Sequence, residues 1–267
     1  MKIGIFDSGL GGLFVLRSIQ RVLPQYDYVY LGDTKRVPYG GRSQETIYRF
    51  TKQAVEYLFR RGCIVIILAC NTASARALRK LQREYLPKYY PNRRVLGVII
   101  PTVEAALKHS SKTVGVLATE STVESGAYIR EIKKRNRKVD VIQKAAPLLV
   151  PLVENAGLKF VEPVLNEYLR GLKRLRPQTV VLGCTHYGIL QSKIKRQFPS
   201  TTRIITQNQI VPGKLQAYLK RHREISGKLA HQHRLTIFVT DITPHVRRLA
   251  WKWFGKHIPL KIATLPD

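Results

Sequence analysis

Acidic residues are scarce in this chain of 267 residues: 17 Asp and Glu stand against 46 Lys and Arg, a formal charge of +29. Cysteine is also scarce. Cys63, Cys70 and Cys184 are an odd number without C-x-x-C spacing, which argues against a disulfide framework or a structural zinc site and leaves three free thiols. Long apolar runs are missing too. The longest covers about eight residues, Cys63 to Cys70, against the roughly 20 needed to cross a bilayer, so no membrane span is expected. The opening Met-Lys-Ile-Gly-Ile-Phe-Asp-Ser-Gly leaves no room for an apolar signal segment, and the expected location is cytoplasmic. Low-complexity sequence is absent as well. At 44% hydrophobic and 9% aromatic residues the chain can bury a real core and is long enough for one large domain or two ordinary ones.

The excess of base attracts polyanions and anionic small molecules at long range. It is dense in Arg130–Lys138, and Lys193–His257 holds 14 Lys and Arg against Glu224 and Asp241. No zinc-finger pattern, RNP aromatic motif or basic heptad region accompanies it, so the charge supports nonspecific polyanion binding and names no partner. His231 and His233 form an H-x-H pair, but without a third ligand nearby they do not make a metal site.

Short apolar runs alternate with amphipathic stretches along nearly the whole chain, the pattern of an α/β fold with mostly parallel sheets flanked by helices. Candidate strands are Lys2–Phe6, Tyr28–Leu31, Ile64–Ala69, Val95–Ile99, Thr113–Ala118, Val139–Gln143, Thr179–Leu182, Arg203–Thr206, Leu235–Val239 and Leu260–Ala263. Candidate helices include Gly12–Val22, Ser43–Arg61, Thr72–Glu84, Thr122–Arg135, Lys159–Leu175 and Pro244–Phe254. Two echoes point to an internal duplication. Ile3-Gly4-Ile5-Phe6 is repeated by Val114-Gly115-Val116-Leu117, and Ile67-Leu68-Ala69-Cys70-Asn71-Thr72 by Val181-Leu182-Gly183-Cys184-Thr185-His186. Two similar, pseudo-symmetric domains follow: residues 1–97 plus 208–267, discontinuous and carrying Cys70, and residues 98–207, carrying Cys184. Ligands of open α/β sheets gather at the carboxyl ends of the strands, so a cleft between the domains would hold one thiol on each wall.

Asp7-Ser8-Gly9-Leu10-Gly11-Gly12 follows a strand and opens a helix, an arrangement whose N–H groups favour an anion. A dinucleotide site would want a third glycine where Phe14 stands, although Asp33 lies at a suitable distance for a ribose. A lone cysteine at a strand end is commonly just a small buried hydrophobe. Cys70 and Cys184, however, share one local context, each followed by polar residues, and a helix N-terminus or a nearby cation could supply thiolate at neutral pH. Cys63 lacks such surroundings and reads as structural. His186, two residues beyond Cys184, shares its face only if the backbone stays extended. Matched thiols in matched domains suit neither a hydrolase triad nor a contacting redox pair. They suit stereochemical inversion, in which one thiolate removes a proton from one face of a carbon and the opposite thiol delivers a proton to the other.

Several segments, in order and at consistent spacing from Lys2 to about Gln197, carry a resemblance: Asp7-Ser8-Gly9, Gly32-Asp33-Thr34 with Arg36–Gly40, Ala69–Ser74, Ala118-Thr119 with Thr122 and Ser125, Val150–Glu154, and Leu182–Tyr187. The chain resembles the cofactor-independent glutamate racemases of the aspartate/glutamate racemase superfamily. The resemblance implies an isomerase that interconverts L- and D-glutamate for peptidoglycan, with Cys70 and Cys184 as acid/base residues. It implies that Asp7 assists on the Cys70 side and His186 and Glu154 on the Cys184 side. Substrate contacts carried over are Asp7, Ser8, Tyr39, Gly40, Asn71, Thr72, Thr185 and His186, and neither pyridoxal phosphate nor a metal is implied. An aspartate or related amino-acid racemase is the alternative, and a nucleic-acid-binding protein on a racemase scaffold a further one; a homodimer stays open. The chain departs from the pattern at Thr206-Gln207, where the usual turn carries an acid, at Gly41, and at Ala146.

Overall fold

The computed structural model describes residues 1–110, 112–155, 157–255 and 258–266. Among the described residues, ten strands form two parallel sheets. They are β1 (Lys2–Asp7), β2 (Tyr28–Gly32), β3 (Cys63–Leu68), β4 (Arg94–Gly97), β5 (Thr113–Ala118), β6 (Asp140–Ala145), β7 (Thr179–Gly183), β8 (Arg203–Ile205), β9 (Leu235–Val239) and β10 (Leu260–Ile262). The first sheet has the order β10-β9-β2-β1-β3-β4 and the second β6-β5-β7-β8.

The shared segment of these orders is the duplication read from the sequence. In both sheets the first strand of the unit lies between the second and the third, with the fourth at the edge, so β1 corresponds to β5 and β3 to β7. Gly4 and Gly115 occupy corresponding strands, and Cys70 and Cys184 each follow the end of a corresponding strand. The tail adds β9 and β10 to the first sheet beyond β2. Strand β3, Cys-Ile-Val-Ile-Ile-Leu, is buried along its whole length because helices cover both faces of a parallel sheet.

Each sheet carries an apolar cluster on either face. Helix Gly12–Val22 turns Leu13, Leu16 and Ile19 toward the first sheet at helical spacing, where they meet Val211, Leu215 and Leu219 of helix Gln207–Arg221. Full burial of such a side chain contributes about 1.5–3 kcal/mol. Cys63 is wholly buried in the cluster on the opposite face, among Phe59, Ile66 and Val95. At the base of the tail, Asp27 ties β2 to the segment before β9 by accepting from the Gln232 and Arg234 amides. The H-x-H pair is spent nearby, His233 bonding the Pro24 carbonyl and His231 lying edge-on to Tyr26. Among the described residues no three His, Cys, Asp or Glu group as metal ligands, and no helix is long and apolar enough to cross a membrane.

Three elements depart from the periodicity, each for a local reason. The expected strand Val95–Ile99 ends at Gly97, because Ile99 already opens helix Ile99–Leu107. The expected helix Thr72–Glu84 begins one residue earlier and breaks at Ala77, then continues through a wide turn over Leu81–Tyr85. The expected helix Thr122–Arg135 is interrupted at Gly126, whose φ of 62° lies in the left-handed region that favours glycine.

Gly32, at the end of β2, shows how little room the loop after β1 leaves. A Cβ there would fall inside contact distance of the Gly9 carbonyl oxygen, a backbone atom that cannot rotate away. Gly32→Ala is therefore expected to lower unfolding free energy by about 1–3 kcal/mol in urea titration. An unchanged midpoint would show that the loop can move away from β2.

Candidate active site

The carboxyl ends of β1, β3 and β7 converge on one cavity of about 220 Å³. That is below the roughly 300–1,000 Å³ of drug-sized pockets and suits a small metabolite. A larger cavity, about 300 Å³, opens between β4 and the helices Ile99–Leu107 and Gln207–Arg221. It holds no thiol, and its acids are paired, Glu131 with Arg79 and Glu104 with Lys214, so the reactive groups belong to the smaller one.

Cys70 caps the helix Asn71–Arg76 with extended backbone, directly after β3. Its sulfur lies 3.4 Å from Ser8 Oγ, to which the thiol donates. Burial pushes this thiol up to about 12, and the neighbouring Asp7 charge adds to the effect; hydrogen bonding with Ser8 and with the Ala73 amide opposes it without prevailing. Cys70 is thus a protonated thiol at neutral pH when the site is empty. The thiolate anticipated from the helix N-terminus is not its resting form, because burial and a negative neighbour outweigh one short helix.

Cys184 follows β7 on the other sheet. Its own backbone is extended, but a tight helical turn begins at Thr185, so the extended run that seemed necessary for His186 to share its face does not occur. The turn itself brings Nδ1 of His186 to 3.9 Å from the Cys184 sulfur. On the ring's far side Nε2 lies 2.9 Å from Glu154 Oε1, a close ion-pair contact in which the N–H is not aimed along the line to the oxygen. Burial disfavours charge on this imidazole, yet contacts with Cys184 and Glu154 together hold its pKa well above the usual histidine range. His186 therefore stands beside Cys184 as a proton-bearing group. Trp253 of the tail helix packs edge-on against the ring at 5.9 Å between centroids, a neighbour that sequence spacing could not reveal.

Every residue singled out for the site lines this cavity except Asp7: Cys70, Cys184, Ser8, Tyr39, Gly40, Asn71, Thr72, Thr185, His186 and Glu154. Asp7 is fully buried behind the wall. Its carboxylate accepts from the Gly9 amide at 3.1 Å and from the Thr185 hydroxyl at 3.3 Å. Burial raises its pKa, opposed by His186 and by those hydrogen bonds. The anion that the glycine-rich loop favours is thus the chain's own Asp7. No dinucleotide fits there, since a Cβ on Gly11 would lie 2.5 Å from Thr185 Oγ1 and 2.8 Å from His186 Nδ1, and Asp33 is already bonded to Arg36, Tyr39 and Thr240.

The remaining wall is hydroxyl-rich. Thr72, Thr119 and Thr122 form a triangle of mutual contacts at 2.9, 3.2 and 2.9 Å, linking the helix after β3 to the turn after β5. Asn71 is buried, with Oδ1 bonded by Tyr128 at 2.7 Å and Nδ2 unpartnered. Comparison with known proteins adds to this geometry. The model of the Asp/Glu/Hydantoin racemase family matches residues 10–211. A curated glutamate racemase of Aquifex pyrophilus is 40% identical over 266 residues, covering 98% of each chain.

The chain belongs to the Asp/Glu/Hydantoin racemase family. Among solved structures, a glutamate racemase isoform of Bacillus anthracis superposes with a TM-score of 0.90 at 32% identity, over 99% of this chain and 98% of that one. Another, from Francisella tularensis in complex with D-glutamate, gives a TM-score of 0.87 at 31% identity, over 98% and 97%. Within this racemase fold, Gly41 stands in open space at the cavity wall and Ala146 is buried beneath it, its carbonyl accepting from Tyr187. Sequence reasoning quoted Thr119 and Thr122 without assigning them to the site, noted the buried Gln207 only as a departure from the family pattern, and missed Tyr128.

The environment of Cys70 is testable by alkylation in a Cys63→Ser, Cys184→Ser background. The apparent pKa from iodoacetamide rates should lie well above the ~8.5 of a free thiol, and Asp7→Asn should lower it by about one unit, because a like charge disfavours thiolate. An unshifted profile in Asp7→Asn would separate the two groups electrostatically.

Proposed function

We propose that this chain is a glutamate racemase, interconverting L- and D-glutamate by proton transfer at the α-carbon between Cys70 and Cys184. The observation that carries the reading is a pair of thiols following corresponding strands of two duplicated sheets and lining one closed cavity. We also propose that the chain divides into residues 1–97 plus 208–267 and residues 98–207, so that each domain supplies one wall.

In one direction Cys184 acts as base and takes the α-proton while Cys70 gives its proton to the opposite face. The substrate leaves inverted, with Cys70 as thiolate and Cys184 as thiol. The other direction runs from that state. A substrate ammonium brought toward Asp7 and Cys70 would offset the negative charge that helps keep Cys70 protonated, so substrate binding itself favours the second state. His186, bearing its proton beside Cys184 and backed by Glu154, stabilises the thiolate form in which Cys184 acts as base on that wall. Asn71, Thr72 and Thr185 offer donors to substrate carboxylates, Ser8 receives the Cys70 thiol proton in a hydrogen bond, and Tyr39 and Gly40 shape the wall nearest the Asp33 loop. Carbanion-like charge at the α-carbon needs such fixed donors and little water, which a small, mostly enclosed cavity provides.

D-glutamate for peptidoglycan is the product role that goes with this assignment. The basic residues are spread along the chain, and some are paired, as Arg76 is with Glu124 and Lys193 with Glu162, which supports a dispersed charge and not a nucleic-acid stripe. Any DNA retention should accordingly vanish between 50 and 200 mM salt, while kcat stays within about threefold.

Solvent deuterium incorporation at the α-carbon of each glutamate enantiomer, followed by NMR, tests the reaction directly. Cys70→Ala and Cys184→Ala should each abolish racemisation, and Cys63→Ala should leave the rate within a few-fold. Full activity in Cys184→Ala would sink the two-thiol mechanism. Glutamate should exceed aspartate by at least roughly tenfold in kcat/KM, since one methylene and the misplacement of a shorter acid act together. Faster aspartate turnover would move the assignment to the alternative substrate.

A further inference from the structure

Gln207 opens the helix Gln207–Arg221, and its side chain is buried, only 2% of the residue being exposed. Its Nε2 donates to the Leu182 carbonyl at 2.9 Å and to Asn71 Oδ1 at 3.4 Å. Leu182 is the penultimate residue of β7, on the strand that leads to Cys184, while Asn71 immediately follows Cys70. One amide thus bridges the approaches to both thiols.

The polarity of this bridge is determined link by link. A backbone carbonyl can only accept, so Leu182 dictates that Gln207 presents nitrogen and not oxygen. The second hydrogen of that nitrogen then faces Asn71, which must answer with its oxygen. Tyr128 donates to the same oxygen at 2.7 Å, and burial raises the pKa of that hydroxyl, so it remains a donor. With Oδ1 held from two sides, the Asn71 amide nitrogen is left buried and without a protein partner, in a residue that lines the cavity. An unsatisfied buried donor is costly, and a ligand oxygen would satisfy it.

We infer that Gln207 is a positioning residue, anchored on the Leu182 carbonyl, that fixes the Asn71 amide so that its N–H groups face the cavity as donors to a substrate carboxylate. The inference rests on the racemase reading for the identity of the substrate, but the orientation of the amide does not. Tyr128 alone would not impose it, because a hydroxyl can donate or accept and so tolerates either face of the Asn71 amide. Glutamine here also gives physical sense to one departure from the family pattern, since a short side chain in its place could not reach both partners. Gln207 touches no reacting atom and acts through Asn71.

Two variants separate the role from a merely structural one. Gln207→Leu removes the anchor while keeping similar bulk. Gln207→Glu replaces the donor by an acceptor and should turn the Asn71 oxygen toward the substrate. KM for glutamate should rise several-fold in Gln207→Leu and about tenfold or more in Gln207→Glu, with kcat within about twofold, the pattern of lost ground-state binding. In an Asn71→Ala background, Gln207→Leu should change KM by less than about twofold, because the relay has nothing left to position. A Gln207→Leu effect that persists undiminished without Asn71, or that falls on kcat alone, would overturn the inference. If Gln207→Glu does not fold, the Leu series decides. Neutron diffraction of the substrate-free native protein reads the amide independently of activity: deuterons on the cavity side of Asn71 support the relay, and oxygen on that side refutes it. Failure of the native protein to racemise glutamate would overturn the functional reading while leaving this orientation to the neutron result.

Discussion

The hydrogen bond from Thr185 to Asp7 joins two sheets that share no strand pairing. Asp7 ends β1 and Thr185 follows β7, so this one contact ties the base of the first sheet's loop to the wall that carries Cys184. It is possible only because Gly11 has no side chain where Thr185 and His186 press against the loop. The same carboxylate raises the pKa of the Cys70 thiol, and the nearby His186 counters the effect of burial on the carboxylate. The burial of Asp7 behind the wall, bonded to the Gly9 amide, keeps that charge close to Cys70 without occupying substrate space. The electrostatics of the site therefore radiate from a group that does not line it.

The two thiols are related by duplication but not by environment. Cys70 faces Ser8 and lies near a buried carboxylate, whereas Cys184 faces an imidazole backed by Glu154. A reversible inversion needs two groups that exchange acid and base roles, not two identical pockets. The duplicated strands supply the equal placement, and the unlike neighbours give the two thiols different surroundings.

Much of this was legible in the sequence, and the limits have physical causes. Strands such as Thr113–Ala118 and Leu235–Val239 could be read to the residue because they are short apolar runs with clear polar flanks. The echo around Cys70 and Cys184 revealed the duplication because a strand end has a strong local signature. What escaped was long-range. Tyr128 and Trp253 reach the site by packing across helices, and nothing beside them in sequence marks that reach, while Gln207 stood out as a departure from the family pattern without its bond to Asn71 being legible. The break at Ala77 escaped for the opposite reason, since the apolar spacing of a helix continues across it while the backbone changes its turn. The thiolate expected for Cys70 failed on desolvation, a quantity set by the whole fold and not by the residues adjacent in sequence.

The return of the tail to the first sheet bears on how the molecule comes into being. Strand β2 is flanked by β1, made at the outset, and by β9, made near the close, and the Met1 ammonium bonds the Lys228 carbonyl at 2.6 Å. The sheet made of β5 to β8 is contributed entirely by the middle of the chain, so on a ribosome it can close while the sheet begun first still waits for a neighbour. Domains generally fold as units in order of synthesis. Here the unit started first is finished last, and until β9 emerges the exposed edge of β2 is an unpaired, apolar strand that invites pairing with other chains.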